Sequence, residues 1–190
     1  MTDLTLDPGS ALVLIDLQQG ILNLPTITPT SQILANGARL ARAFRAKNLP
    51  VVLVKVAWAP DGGDLPPGRT AQPARTTAPP PAFSELPTEL DVSDSDIILT
   101  KRHWGAFTGT ELDLQLRRRN ITQIVLAGIA TSIGVESTAR AAWEHSYHLT
   151  FAEDATTDTD ADAHTHTFTK IFPRLGQTAT TDQIIQRLGT

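Results

Sequence analysis

Residues 124–140 read IVLAGIATSIGVESTAR, and this stretch decides the fold. An uninterrupted apolar run from Ile124 to Ile129 stops at Ala130, and a helical pattern begins at Ile133. A short, continuous apolar run is typical of a strand that is covered on both faces, as in parallel sheets. A buried strand that passes directly into a helix leaves backbone N–H groups unpaired at the turn, where the helix dipole also favours an anion. The stretch therefore predicts a parallel sheet with an anion or oxyanion site at this turn.

Apolar runs alternate with helical patterns along the rest of the chain. We predict further strands at residues 11–15, 51–56, 96–100, 147–152 and 177–180. We predict helices at residues 31–47, 110–119, 133–145, 160–172 and 182–188. Because strands and helices alternate, the chain is expected to form an α/β fold with helices on both faces of a parallel sheet.

One long segment interrupts this alternation. Residues 59–87 contain eight prolines and no helical or strand periodicity. Loops of this length are usually a lid, a subunit contact or disordered. The chain contains no internal repeat and no linker that would divide it, so we interpret residues 1–190 as a single domain that carries this proline-rich loop.

Composition excludes several classes of function. The chain has 190 residues, a formal net charge of −4 and no cysteine. The charge gives no electrostatic reason to expect nucleic acid or an anionic membrane as a partner. The absence of cysteine excludes disulfides, thiolate metal sites and cysteine catalysis. Because no signal peptide and no apolar stretch of bilayer length is evident, we expect a cytoplasmic protein.

The candidate site residues follow predicted strands, since ligands of parallel α/β sheets bind beyond the carboxyl ends of the strands. Asp16, Lys101 with Arg102, the turn 130–132, and Glu153 with Asp154 occupy such positions. A carboxylate at the end of a buried strand is partly desolvated, which raises its pKa and suits it to proton transfer. Asp16 is therefore the leading candidate, although an Asp at a strand end also commonly caps a turn.

Other candidates also have a structural and a functional interpretation. Trp104 and Phe107 could stack on a planar substrate, or they could be core or subunit-contact residues. Gly134, in the first turn of its helix, could admit a substrate to the backbone or simply allow close helix–strand packing. Glu153 and Asp154 could brace the site or only form a turn.

The histidines give no metal-binding pattern. His164 and His166 are two residues apart on a predicted helix and so point to different faces, and His145 and His148 straddle a helix end. Neither pair has a carboxylate at ligand spacing. We expect no metal and no other cofactor.

Four segments, in order, resemble the isochorismatase-like (cysteine hydrolase) superfamily, and together they span nearly the whole chain. They read ALVLIDLQQGIL, LTKRHWGAFTGTELDLQLRRRNI, GIATSIGVESTARAAWEHSY and FAEDATTD. The resemblance places the acidic residue and the lysine of the superfamily on Asp16 and Lys101. It places Gly134 where most members have the nucleophilic cysteine.

The resemblance implies an architecture. It predicts a three-layer α/β/α sandwich around a six-stranded, mainly parallel sheet, in a homo-oligomer of two or more subunits. It also predicts a cis peptide bond at Ala130–Thr131. Such bonds are rare outside proline and tend to mark functional sites.

The resemblance also restricts the chemistry. Amidases of the superfamily need the thiol that Gly134 replaces, and Val56-Ala57-Trp58 lacks the Asp-x-His of the nicotinamidase metal site. Isochorismatases, which cleave a vinyl ether, likewise have glycine at this position. In that chemistry a protonated Asp16 donates to the enol ether carbon, and water attacks the resulting oxocarbenium ion. Lys101 would tune Asp16 and help to hold a substrate carboxylate.

The sequence therefore predicts a hydrolase that acts on a small metabolite through Asp16, Lys101 and the space at Gly134. A binding protein that has lost the reaction, and an amidase that activates water directly, remain as alternatives. The candidates for substrate binding are Gln18, Arg102, Trp104, Phe107, Ala130, Thr131, Ser132 and Ile133.

Overall fold

The computed structural model describes residues 4–66, 69–71, 73 and 75–189, and four positions of the predicted proline-rich loop (67, 68, 72 and 74) lie outside this set. Within the described residues, six parallel strands form one sheet: β1 (Ser10–Ile15), β2 (Val51–Val56), β3 (Ile97–Lys101), β4 (Gln123–Ile129), β5 (His148–Thr157) and β6 (Gln177–Ala179). Their spatial order is β3-β2-β1-β4-β5-β6. The predicted six-stranded parallel sheet is thus confirmed.

Helices connect the strands. In the described part of the chain the α-helices are α1 (Gln19–Leu22), α2 (Thr30–Ala46), α3 (Leu112–Arg117), α4 (Glu136–Glu144), α5 (Ala161–His166) and α6 (Thr181–Gly189). Short 3₁₀ turns occur at Pro81–Ser84, Thr88–Leu90 and Phe172–Arg174, and π-helical turns at Thr131–Val135 and Thr167–Ile171. No helix among the described residues has the length and apolarity needed to cross a bilayer.

The side chains of the buried strands alternate between two cores, one on each face of the sheet. Ala11, Val13 and Ile15 of β1 pack in one core with α3 and α4. Leu12 and Leu14 pack in the other core with α2 and α6. The two cores on opposite faces confirm the predicted three-layer sandwich.

The strand order reverses between β1 and β4, and the two strands lie close together there. Gly128 of β4 pairs with Ile15, and its φ of +129° is one that side-chain-bearing residues rarely adopt. A Cβ at Gly128 would overlap the Ile15 carbonyl oxygen. This glycine therefore lets the end of β1, and Asp16 after it, lie directly beside the turn that follows β4.

Some predicted boundaries were wrong. We predicted that the fifth strand ends at Ala152, but β5 continues to Thr157 because its pairing with β4 shifts between Leu126 and Gly128 and resumes beyond a bulge. The helix predicted at 160–172 is divided into α5, a π-helical turn and a 3₁₀ turn. The helix predicted at 110–119 is confined to Leu112–Arg117.

Candidate active site

Asp16, Lys101 and Gly134 meet at the carboxyl edge of the sheet, where the strand order reverses. Asp16 directly follows β1 and has a left-handed backbone, with φ of +54°. Few residues other than glycine adopt this conformation, and Asp is among those that tolerate it. The predicted catalytic residues are therefore brought together by three different strands.

A buried ion pair joins Asp16 and Lys101. The Lys101 Nζ lies 2.8 Å from Asp16 Oδ2, and the two side chains are only 2% and 8% exposed. Nζ also donates to the carbonyls of Trp104 at 2.9 Å and His103 at 3.2 Å. These contacts use all three ammonium donors within the protein. The prediction that Lys101 holds a substrate carboxylate is therefore replaced by a role in holding Asp16 and the loop after β3.

Burial sets the protonation of Asp16. Desolvation raises the pKa of Asp16 from 3.8 to about 6, and the charge and hydrogen bond of Lys101 act in the opposite direction. The other carboxyl oxygen, Oδ1, is buried and makes no hydrogen bond among the described residues. A buried oxygen without a partner is uncommon in folded proteins. The carboxyl group thus has a free oxygen and a pKa suited to proton transfer near neutral pH.

The turn after β4 begins at Ala130, as predicted, but its cis peptide bond lies one residue earlier than we predicted. The cis peptide bond is Ile129–Ala130, not Ala130–Thr131. The Ala130 carbonyl accepts the N–H groups of Ile133 and Val135, so Ala130 already belongs to the turn.

Gly134 leaves space beside Asp16. A Cβ at this position would lie 3.5 Å from Asp16 Oδ2, 3.5 Å from the Trp104 carbonyl oxygen and 3.1 Å from Ile15 Cγ2. A side chain here would therefore point at the carboxylate. With glycine, this buried position carries no side-chain atom.

Asp158, at the end of β5, was missed by sequence reasoning. Its Oδ2 accepts the Ser132 N–H at 2.7 Å, and Oδ1 accepts the N–H of Thr159 at 2.7 Å. The N–H of Ser132, expected to be free for an anion, is thus bound by a carboxylate of the protein itself. The sequence does have an acidic residue four positions beyond Asp154. It was not considered because the fifth strand was predicted to end at Ala152, which did not place Asp158 at the end of a strand.

Glu153 and Asp154 do not brace the turn. Both lie within β5, and Glu153 is exposed. Asp154 Oδ1 instead accepts the backbone N–H and the hydroxyl of Thr181, at 2.7 and 2.8 Å. The bulge in β5 is the reason, since it extends the strand past both residues.

His164 was also missed, because sequence reasoning weighed it only as a metal ligand. Its Nδ1 lies 2.8 Å from the hydroxyl of Thr131, which is fully buried in the turn. Burial lowers the pKa of His164, while the charges of Asp158 and Glu153 oppose this shift. His164 and Asp158 therefore hold the two successive turn residues Thr131 and Ser132. Among the described residues there is no group of three or more His, Asp or Glu that could hold a metal ion.

The Gln18 side chain, predicted to bind substrate, is instead used within the protein. It is fully buried, and its amide Nε2 donates to the carbonyls of Val56 at 2.9 Å and Phe83 at 3.0 Å. Its Oε1 accepts the Val56 N–H at 2.7 Å. Gln18 therefore joins the end of β2 to the proline-rich loop.

The remaining predicted residues divide between the site and its surroundings. Trp104 is 65% exposed, and its carbonyl faces both Lys101 and the Gly134 space. The Arg102 Nε donates to Asp64 Oδ2 at 2.5 Å. Ile133 is exposed beside Gly134. Phe107 stacks on His145 and packs against Tyr147 at the far end of α4, which favours its alternative interpretation as a core residue.

Known proteins are similar to this chain in sequence and in fold. The Isochorismatase domain model matches residues 10–183. The uncharacterized isochorismatase family protein YecD of Escherichia coli is 43% identical over 94% of this chain and 96% of its own. The structure of an isochorismatase family protein from Burkholderia thailandensis is 47% identical, with a TM-score of 0.95 over 98% of each chain. The ureidoacrylate amidohydrolase RutB of Yersinia enterocolitica is 29% identical over 78% of this chain and 75% of its own.

Proposed function

The chain belongs to the isochorismatase family of hydrolases, and we propose that it hydrolyses a small metabolite by proton transfer from Asp16, without a covalent thiol intermediate. The bond that this chemistry suits best is a vinyl ether. The observation that carries the proposal is the Asp16 carboxyl group itself, which is buried, has one oxygen without a partner and has a pKa raised to about 6. A group with these properties is a competent general acid near neutral pH.

The reaction would proceed in three steps at the carboxyl edge. The protonated Asp16 carboxyl group donates its proton to the terminal carbon of the enol ether, and the electron pair of the double bond forms the new C–H bond. Water then adds to the oxocarbenium ion and releases a proton, and the hemiketal collapses to a ketone and an alcohol. The proton that water releases restores the Asp16 carboxyl group, so atoms and charge balance over the cycle.

Gly134 would give the substrate its place. A Cβ there would lie 3.5 Å from Asp16 Oδ2, the carboxyl oxygen that also accepts from Lys101, and glycine leaves that side of the carboxyl group without a side chain. Lys101 would act through Asp16, because its donors are used by Asp16 and by the carbonyls of His103 and Trp104.

A second candidate is hydrolysis of a C–N bond by water that an ionised Asp16 activates. The observation that favours it is the similarity to RutB, a ureidoacrylate amidohydrolase. Because this chain has no cysteine, water would have to attack the amide directly. The two candidates need opposite protonation states of Asp16, and the pH dependence of turnover separates them.

A substrate panel tests the proposal. The protein and its Asp16→Asn variant are incubated with small vinyl ethers, ureido and carboxamide compounds and esters, and products are followed by mass spectrometry. We expect the wild-type protein to hydrolyse a vinyl ether and the Asp16→Asn variant not to hydrolyse it. Turnover of amides alone would favour the second candidate, and binding without turnover across the panel would indicate a binding protein.

We predict that Gly134→Ala lowers kcat/KM by about tenfold or more without unfolding the protein. The added methyl group would occupy the space beside Asp16, with Ile15 Cγ2 only 3.1 Å away. Alanine favours a helix over glycine by up to about 1 kcal/mol, which offsets this tight contact. Steady-state kinetics and thermal unfolding together check the prediction.

The matched control is Gly109→Ala, since no atom lies within 4 Å of a Cβ built at that position. Gly109 has a φ of +68°, so this variant is expected to lose stability and to keep its activity. Wild-type kinetics in Gly134→Ala would show that the space beside Asp16 is not used.

A further inference from the structure

The buried hydroxyl group of Thr138 joins two segments of the candidate active site that are far apart in sequence. Thr138 lies on α4 and is fully buried. Its Oγ1 accepts the backbone N–H of Ala106, 32 residues away, at 3.0 Å and donates to the Gly134 carbonyl at 2.7 Å. A hydroxyl group is both a donor and an acceptor, so one side chain makes both contacts. Thr138 therefore links the loop after Lys101 to the turn that contains Gly134.

The loop that connects β3 to α3, residues 102–111, depends on contacts of this kind. It contains neither a helix nor a strand, so its backbone polar groups need partners outside regular structure. In the described part of the chain, the Ala106 N–H has no acceptor other than the Thr138 hydroxyl. Ala106 is fully buried, and a buried N–H group without a partner is unfavourable. The Thr138 hydroxyl therefore fixes the backbone of this β3–α3 loop at Ala106.

The β3–α3 loop also packs closely on the start of α4. A Cβ at the buried Gly105 would lie 3.5 Å from the Cβ, the carbonyl carbon and the carbonyl oxygen of Ser137. One residue earlier, the Trp104 carbonyl oxygen lies 3.5 Å from the Cβ position of Gly134. Residues 104–106 therefore rest on the Gly134 turn and the first turn of α4, and Thr138 supplies a hydrogen bond across this contact.

The place where the loop meets the turn is also where the Asp16–Lys101 pair lies. The Trp104 carbonyl accepts from Lys101 Nζ at 2.9 Å, and Nζ lies 2.8 Å from Asp16 Oδ2. Asp16 Oδ2 is 3.5 Å from the Cβ position of Gly134, the same distance as the Trp104 carbonyl oxygen. A separation of the loop from the turn would therefore admit water directly beside the Asp16 carboxyl group.

We propose that Thr138 is a positioning residue: its hydroxyl group holds the β3–α3 loop against the Gly134 turn and so keeps water away from the Asp16–Lys101 pair. The inference deepens the proposed function, on which it rests for its catalytic meaning, because it identifies a residue that regulates the proton affinity of Asp16. Thr138 acts through the loop and Lys101, and it transfers no proton itself.

Removal of the hydroxyl group is expected to lower the pKa of Asp16. In Thr138→Val a methyl group replaces the hydroxyl, and the Ala106 N–H needs a new partner, which water that enters between the loop and the turn can supply. Burial is the largest cause of the raised pKa of Asp16, so hydration should lower this pKa toward 3.8. Because Lys101 keeps its charge, the expected direction is opposite to that of replacing Lys101.

A ¹³C NMR titration of the Asp16 carboxyl carbon measures this pKa without a substrate. The protein is labelled with ¹³C-aspartate, and the Asp16 signal is identified as the one that Asp16→Asn lacks. We expect the pKa of Asp16 to be lower by about 0.5 or more in Thr138→Val and in Thr138→Ala, which removes the same hydroxyl group. Thr138→Ser keeps the hydroxyl group and should keep the pKa within about 0.2 of the wild-type value. Thermal unfolding verifies that each variant is folded at the temperature of the titration.

Thr150→Val is the matched control for the loss of a buried threonine hydroxyl group. Thr150 is fully buried near the amino end of β5, and its Oγ1 accepts from Gln123 Nε2 at 3.1 Å. This variant should lose stability and keep the wild-type pKa of Asp16. A pKa of Asp16 that is unchanged in Thr138→Val and Thr138→Ala, or that falls equally in Thr138→Ser or Thr150→Val, would overturn the inference.

The NMR titration separates this inference from the proposed function. If the pKa of Asp16 falls in Thr138→Val but Asp16→Asn stays active on a substrate from the panel, the positioning role stands and the proposed mechanism fails. If Asp16→Asn is inactive and the pKa of Asp16 is the same in Thr138→Val as in the wild-type protein, the mechanism stands and the positioning role fails.

Discussion

Replacing Asp16 with asparagine is expected to lower kcat/KM by about 10²–10⁴-fold, which is the contribution that a general acid or base typically makes. Asparagine keeps the size of the side chain and a polar contact to Lys101, but it has no proton to transfer at neutral pH. The substrate found in the panel provides the assay. Circular dichroism and thermal unfolding establish that the variant is folded at the assay temperature.

A matched substitution at the opposite end of the sheet controls for the loss of a buried carboxylate. The Asp96 side chain is 1% exposed and is paired with Arg45 through contacts of 3.0 and 2.7 Å. Asp96→Asn should therefore lower stability and leave kcat/KM of the folded protein unchanged. Asp16→Asn activity within about threefold of the wild-type value would contradict the assignment of Asp16 as the proton donor.

Replacing Lys101 with methionine is expected to lower the free energy of unfolding by about 3–5 kcal/mol, the range measured when one partner of a buried ion pair is removed. Methionine preserves most of the apolar stem, but Asp16 and the carbonyls of His103 and Trp104 all lose their donor. Because Lys101 lowers the pKa of Asp16, its removal should also raise that pKa further above its ordinary value. Urea unfolding and the pH dependence of kcat/KM measure the two effects.

Lys55→Met is the matched control for Lys101→Met. Lys55 lies on β2 in the same sheet and forms no ion pair among the described residues. Its replacement should change the free energy of unfolding by less than about 1 kcal/mol. If the two variants lost equal stability, the Asp16–Lys101 pair would not be the element that holds this edge of the sheet together.

The sheet and the Asp16–Lys101 pair were predictable because their signals are local. Each buried strand is a short apolar run, and Asp16 and Lys101 lie at the ends of two such runs. The rule that parallel strands gather their carboxyl ends at one edge then places the two residues together. The structure adds that the pair is desolvated and that one carboxyl oxygen of Asp16 has no hydrogen-bond partner among the described residues. Neither property can be predicted from the order of residues along the chain, because both depend on tertiary packing.

The supports of the turn could not be predicted, because they depend on register and on long-range contacts. The bulge in β5 moves Asp158, rather than Asp154, to the Ser132 N–H. The contact between His164 and Thr131 depends on how α5 returns over the turn. Gln18 was predicted to bind substrate, but its side chain bonds to Val56 and Phe83, a contact between distant segments that no local pattern contains.

The pH dependence of kcat/KM for the wild-type protein tests most directly whether Asp16 acts as a general acid. The pKa of Asp16 is raised to about 6, so the protonated form predominates below pH 6 and decreases about tenfold per pH unit above it. If Asp16 is the acid, kcat/KM of the wild-type protein is constant below about pH 6 and falls above it. In Lys101→Met the same decrease should begin at a higher pH, because the pKa of Asp16 is higher in that variant. A kcat/KM that increases with pH through the same range, or that shows no titration between pH 5 and pH 8, would contradict the account.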